Sequence, residues 1–114
     1  MERELLKGNT PTLVLAILRD GPLHGYGIAR EIERRSDSRL KFKDGTLYPA
    51  LQMLEGQKLV VSKWDHTGSG PPRKVYSITK SGLQELERRT QNWQNFVAAV
   101  SGVLGGGLDV EFAR

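Results

Sequence analysis

Residues 44–64 read DGTLYPALQMLEGQKLVVSKW, and the fold turns on how this stretch is parsed. Leu47, Leu51 and Leu54 recur at helical spacing and mark one apolar stripe. A helix here begins at Asp44 or at Thr46, each a residue able to cap an N-terminus. Pro49 favours Thr46, because the proline then stands at the third helical position, where its missing N–H has no intrahelical partner to lose. After Gly56 the period changes. Leu59 to Asp65 (LVVSKWD) and Arg73 to Ile78 (RKVYSI) alternate β-branched or aromatic residues with polar ones, as half-exposed strands do. The turn-rich run HTGSGPP between them makes the pair a β-hairpin, flanked by Lys63, Arg73 and Lys74.

Upstream, Thr10 to Arg19 (TPTLVLAILR) reads as a helix with Thr10 as N-cap and Pro11 at the first helical position. Asp20-Gly21-Pro22 ends it. His24 to Ser36 (HGYGIAREIERRS) forms a second helix whose apolar face holds Tyr26, Ile28, Ala29 and Ile32. His24 is expected to pack or cap at that helix start rather than act as a base. Downstream, Thr79 caps a last helix. Its residues Leu83, Leu86, Thr90, Trp93, Val97, Val100 and Leu104 are separated alternately by three and four positions, a heptad seam. The seam lies either on the chain's own core or on another chain. The helix is long for so small a body, so a second chain is the expectation. The final GGGLDVEFAR reads as a mobile tail.

The expected organisation is a winged helix-turn-helix unit at 1–78, mainly α with a small β-hairpin. A long C-terminal dimerisation helix follows at 79–104, then a flexible tail at 105–114.

Bulk properties narrow the function. A chain of 114 residues holds one compact core. There is no cysteine, which removes disulfides, thiol catalysis and thiolate metal sites. His24 and His66 do not form a metal-ligand spacing. Phosphate-loop, nucleophile-elbow and metalloprotease motifs are all missing, and GSGPPRK has two prolines where a phosphate loop needs N–H donors. No enzyme activity, cofactor or metal is therefore expected. The first residues, MERELLKGNTP, lack the apolar run of a signal peptide, and the longest apolar-small stretch, at 96–108, is 13 residues, too short to cross a bilayer. A cytoplasmic location follows as the expectation.

The net charge is +4 and unevenly placed. Residues 1–78 hold 13 Lys/Arg against 9 Asp/Glu, whereas residues 79–114 hold 4 of each. Such a charge is ordinary for solubility, but its split also suits a body facing a polyanion. In a helix-turn-helix pair the second helix enters the major groove of double-stranded DNA. Its exposed face, off the leucine stripe, includes Thr46, Tyr48 and Gln52, with Glu55 at its edge. Thr46 and Gln52 can bond phosphate or base edges, and Tyr48 can donate to a phosphate while its ring packs on sugar. Lys41 and Lys43 precede the helix. Lys63, Arg73 and Lys74 belong to a wing that reaches backbone or minor groove.

HGYGI, GTLYPALQMLEGQKLV and GPPRKVYSITKSG resemble, in order and spacing, the PadR family of winged-helix transcriptional regulators. The resemblance implies a homodimeric repressor reading an inverted repeat near its own or a neighbouring promoter. It also places Tyr48 at the DNA face. The single last helix is similar to the family's shorter subgroup, where an aromatic residue of that helix lines a cleft between subunits that accepts flat hydrophobic compounds. By that likeness Trp93 and Phe96 line an effector site; equally, Trp93 anchors the dimer together with Leu83, Leu86, Val97, Val100 and Leu104. One departure stands out. The family often has a glycine directly before the Leu-Val that starts the wing, and here Lys58 stands there, with Gly56 two places earlier. The competing reading is a winged helix that binds a protein partner.

Overall fold

In the computed structural model, residues 3–43 and 45–105 are described. Four helices and a three-stranded antiparallel sheet follow one another as α1 (Arg3–Leu18), β1 (Leu23–His24), α2 (Gly25–Arg35), α3 (Tyr48–Gly56), β2 (Val60–Asp65), β3 (Arg73–Ile78) and α4 (Lys80–Leu104). The fold is a mainly helical winged helix with a long C-terminal helix, as the sequence indicates. Its core draws Val14, Leu15 and Leu18 from α1, Ile28 and Ile32 from α2, and Leu51 and Leu54 from α3. Val60, Tyr76 and Leu86 close it from the sheet and α4.

The hairpin forms where the alternation places it, with Val60 opposite Ile78 and Asp65 opposite Arg73. The sheet has a third strand that the sequence does not announce. β1 pairs with β3, Leu23 facing Tyr76 and His24 facing Val75, in the order β1-β3-β2. Two residues are too few to show any period, so this strand is set by tertiary contact. It pins the start of α2 to the wing.

Two helix starts differ from expectation. α1 begins upstream at Arg3, and Pro11 lies inside it. Thr10 is not its N-cap: the Thr10 hydroxyl donates to the Leu6 carbonyl at 2.7 Å, and the Asn9 amide to the Leu5 carbonyl at 2.8 Å. These side-chain bonds within the preceding turn accompany a proline that itself donates nothing. α3 starts at Tyr48, with Leu47 as N-cap and Pro49 in the first two positions. The Thr46 hydroxyl instead donates back to the Lys43 carbonyl at 2.7 Å, closing a turn through Gly45, whose φ of +80° suits glycine. Asp44, the other candidate cap, lies outside the described residues.

The exit of α3 explains the departure at Lys58. The Leu59 N–H bonds to the Leu54 carbonyl at 2.9 Å and the Lys58 N–H to the Glu55 carbonyl at 3.0 Å. This is a Schellman ending, which needs a left-handed residue at the position after the cap. Lys58 takes it with φ +62°, a conformation glycine would adopt without steric cost.

α4 is locked at its start. Thr79 caps it by accepting from the Gly82 N–H at 3.0 Å, as the sequence indicates. Its hydroxyl also donates to the Lys58 carbonyl at 2.8 Å, and its own N–H bonds to the Leu59 carbonyl at 3.0 Å. Gly82 is required by the close approach of α4 to the α3–β2 junction: a Cβ there would collide with the Leu59 carbonyl oxygen and with Ile78. One turn on, Leu86 is buried in the chain's own core, so this member of the heptad seam packs internally. The seam's other end is open, with Leu104 largely exposed. Of the expected tail, the residues beyond Gly105 lie outside those described.

Candidate nucleic-acid interface

The second helix of the pair, α3, buries Leu51 and Leu54 and turns Tyr48 and Gln52 outward, and Thr46 is exposed in the turn before it. This follows from the stripe, since residues off a helix's buried face must point away from it. Tyr48 is 51% exposed, and its ring lies over the start of α2, the hydroxyl 3.8 Å from where a Cβ at Gly25 would stand. The two helix starts and the wing thus enclose one open groove of about 750 Å³. Tyr48, Arg73 and Lys74 line it together with His24, Tyr26, Arg30 and Trp64.

Several of these residues were not marked by the sequence as part of a site. Tyr26, assigned to the apolar face of α2, is 65% exposed. It stacks with His24, ring centroids 6.4 Å apart. The Arg30 guanidinium donates to the Tyr26 hydroxyl at 2.8 Å and lies 5.6 Å from its ring centroid. Arg73 Nη1 donates to His24 Nε2 at 3.3 Å. The Arg73–His24 contact depends on β1 bringing the start of α2 against β3, and an aromatic at helical spacing carries no mark of which way it faces. Trp64 stands opposite Lys74 in the hairpin and is 60% exposed.

Glu55 is tied up by the wing. Its carboxylate accepts from the Ser62 hydroxyl at 2.6 Å and pairs with Lys74 Nζ at 3.5 Å. Lys74 in turn sits 5.7 Å from the centroid of the Tyr76 ring. One carboxylate therefore ties the last turn of α3 to both strands of the hairpin. Burial pushes the Tyr76 phenol above its ordinary range, helped by Glu55 and Tyr48. Lys41 and Lys43 are exposed on the loop before α3. Lys63 is exposed too, but strand alternation puts it on the opposite face of the hairpin from Trp64, away from the groove.

A second groove, of about 550 Å³ and mostly apolar, lies between α1 and α4. Leu5, Leu13 and Leu40 form part of its wall. Trp93 and Phe96, their ring centroids 6.2 Å apart, supply its aromatic side. The sequence placed both residues on one turn of the last helix; their meeting with α1 comes from the fold.

Residues 14–88 match the transcriptional regulator PadR-like family. The chain belongs to the PadR family of transcriptional regulators. Among relatives, the negative transcriptional regulator PadR of Bacillus subtilis is 30% identical over 64% of this chain, and the match spans only 40% of that longer protein. A transcriptional regulator of Mycobacterium tuberculosis is 29% identical over 84% of this chain and 95% of its own length. The crystal structure of a PadR-family regulator from Eggerthella lenta, 34% identical, superposes with a TM-score of 0.74 over 90% of this chain and 83% of that one. The family is one of DNA-binding transcriptional regulators, and this PadR-like chain carries its winged helix complete. Among the described residues no helix is long and apolar enough to cross a membrane.

Proposed function

We propose that this PadR-family protein is a cytoplasmic repressor that occupies an inverted-repeat promoter site as a homodimer. The reading is carried by Thr46, Tyr48 and Gln52, which stand exposed in and just before α3, with Tyr48 lining a groove shared with the wing. In this reading α3 enters the major groove, with Gln52 on base edges and Thr46 and Tyr48 on the backbone. Lys41 and Lys43 add phosphate contacts before the helix, and Arg73 and Lys74 add them from the wing. The name of the Bacillus subtilis relative, a negative regulator, favours repression over activation.

Dimerisation runs through the distal part of α4. Val97, Val100 and Leu104 continue the heptad spacing past the point where Leu86 enters the core, and Leu83 is 44% exposed at the near end. Half-sites then lie about one helical turn of DNA apart, or a multiple of it. The groove holding Trp93 and Phe96 suits a flat hydrophobic effector, because ring stacking tolerates many ligand shapes. Such a compound, wedged against α4, changes the spacing of the two α3 helices and so releases DNA.

The test is a gel-shift titration against the DNA upstream of the protein's own gene, with excess unrelated competitor, at low and physiological salt. A discrete band that survives competitor is expected. Complete loss of the band to competitor at both salts contradicts sequence-specific binding there and favours a winged helix that binds a protein partner.

A further inference from the structure

Six arginines in the described part of the chain make side-chain contacts, and they fall into two groups. Arg34 and Arg35 pair with Glu31, Arg35 also reaching Asp20. Arg88 and Arg89 pair with Glu85. Both carboxylates are held far below their ordinary range, at about 2, by hydrogen bonds from those guanidiniums. In each case the guanidinium is engaged by a carboxylate. Arg30 and Arg73 are held differently. Arg30 donates to a phenol, Tyr26, and Arg73 to an imidazole nitrogen, His24. A neutral acceptor fixes a guanidinium's direction without cancelling its charge, and each contact uses only one of five N–H donors.

The two arginines come from different elements, α2 and β3, and line the same groove. Their acceptors are neighbours, the Tyr26 and His24 rings stacking with centroids 6.4 Å apart, so one pair of rings orients both guanidiniums. Two guanidiniums held by neutral acceptors rather than in a close ion pair, around one open groove, suit an anion with several oxygens in a fixed geometry, which is what a phosphodiester presents. We propose that Arg30 and Arg73, oriented by Tyr26 and His24, clamp one backbone phosphate of duplex DNA beside the recognition helix. The clamp rests on the DNA-binding reading above and extends it to a site off α3. It positions the duplex without reading bases, so it acts equally on any sequence. It also gives the short strand β1 a purpose, since that pairing brings His24 to the wing.

No operator is needed for the test. Affinity for a mixed-sequence duplex is measured by fluorescence anisotropy across a salt series for the wild type, Arg30→Gln, Arg34→Gln and Tyr26→Phe. Each variant's melting curve is checked against the wild type. Arg34→Gln removes the same charge from the same helix, at a residue already paired with Glu31. Arg30→Gln is expected to weaken binding about tenfold and to lower the slope of log affinity against log salt by about 0.9, the signature of one lost phosphate contact. Arg34→Gln is expected to change both far less. Tyr26→Phe keeps the charge but frees the arginine, so it weakens binding severalfold and leaves the slope unchanged. Equal losses in Arg30→Gln and Arg34→Gln would reduce the effect to net charge and overturn the clamp. An unchanged slope in Arg30→Gln overturns it as well. A wild type that binds no duplex even at low salt overturns the DNA-binding reading itself, and the clamp with it.

Discussion

The two grooves of this protein differ in what their linings offer a partner. The groove between α2, α3 and the wing is lined by exposed aromatic rings and cations, several already held by hydrogen bonds. The groove between α1 and α4 is mostly apolar, with Trp93 48% and Phe96 60% exposed beside leucines. Polar groups fixed in advance suit a charged partner, because little order has to be imposed on binding. Exposed apolar groups suit a partner that removes them from water. The molecule thus keeps its charge-facing surface apart from its apolar one, and α4 is the element that could link them: its first turns are locked to the α3–β2 junction, and its far end is open.

That division can be broken most severely at the lock. Gly82→Ala forces a Cβ into the Leu59 carbonyl and Ile78. Because the obstacle is backbone, the expected cost is roughly 3 kcal/mol or more. Thermal denaturation followed by circular dichroism reads it directly, and both surfaces are lost together. A near-normal melting curve would mean that α4 can move off the junction.

Separating the surfaces calls for changes beyond the lock. Val97→Asp with Val100→Asp places charges where the proposed dimer is dry, while both side chains are already partly exposed in the single chain. The expected result is a dimer dissociation constant raised about a hundredfold or more, with the winged body still folded. Analytical ultracentrifugation reads the first and the melting of the body reads the second. A dimer of unchanged strength would move the interface elsewhere.

On the other surface, Tyr48→Phe removes a single hydroxyl. DNA affinity is expected to fall about tenfold, the scale of a hydrogen bond to a charged group. Dimerisation and folding stay unchanged. Unaltered affinity takes that hydroxyl off the list of contacts.

The smallest effect sharpens the account of the junction between recognition helix and wing. Lys58→Gly relieves a left-handed residue at φ +62° while keeping the Schellman bonds. Net stabilisation of about 0.5–1 kcal/mol is expected after glycine's larger unfolded-state entropy is taken into account. The melting temperature rises by a few degrees. Destabilisation would mean that the Lys58 side chain contributes more than its backbone conformation costs.

Much of this architecture was legible in the residues themselves. The hairpin's alternation, its seven-residue connection and the Thr79 cap are local signals, and the structure keeps them. What was illegible depends on neighbours distant in sequence. Thr10-Pro11 has the form of a helix start, yet the chain before it is also helical and the Thr10 and Asn9 side chains bond back along the helix. Leu86 shares a heptad seam with Leu83 and Val97 but enters the core, because Gly82 brings α4 down onto the α3–β2 junction just before it. Of the candidate site, the outward face of α3 could be read from its leucine stripe. The contribution of α2 could not, since it requires β1, a strand with no sequence signature. Lys63 shows the reverse: its charge and place in the hairpin grouped it with Arg73 and Lys74, and strand alternation carries it to the face opposite Trp64.

The central claim is that this chain reads DNA as a symmetric dimer through α3. Selection of bound fragments from a pool of random duplexes, followed by sequencing, tests it most directly. The account predicts enrichment of a two-fold symmetric motif whose half-sites are centred about one helical turn, or a multiple of it, apart. A pool that stays random after repeated rounds, or a lone asymmetric half-site, would contradict it.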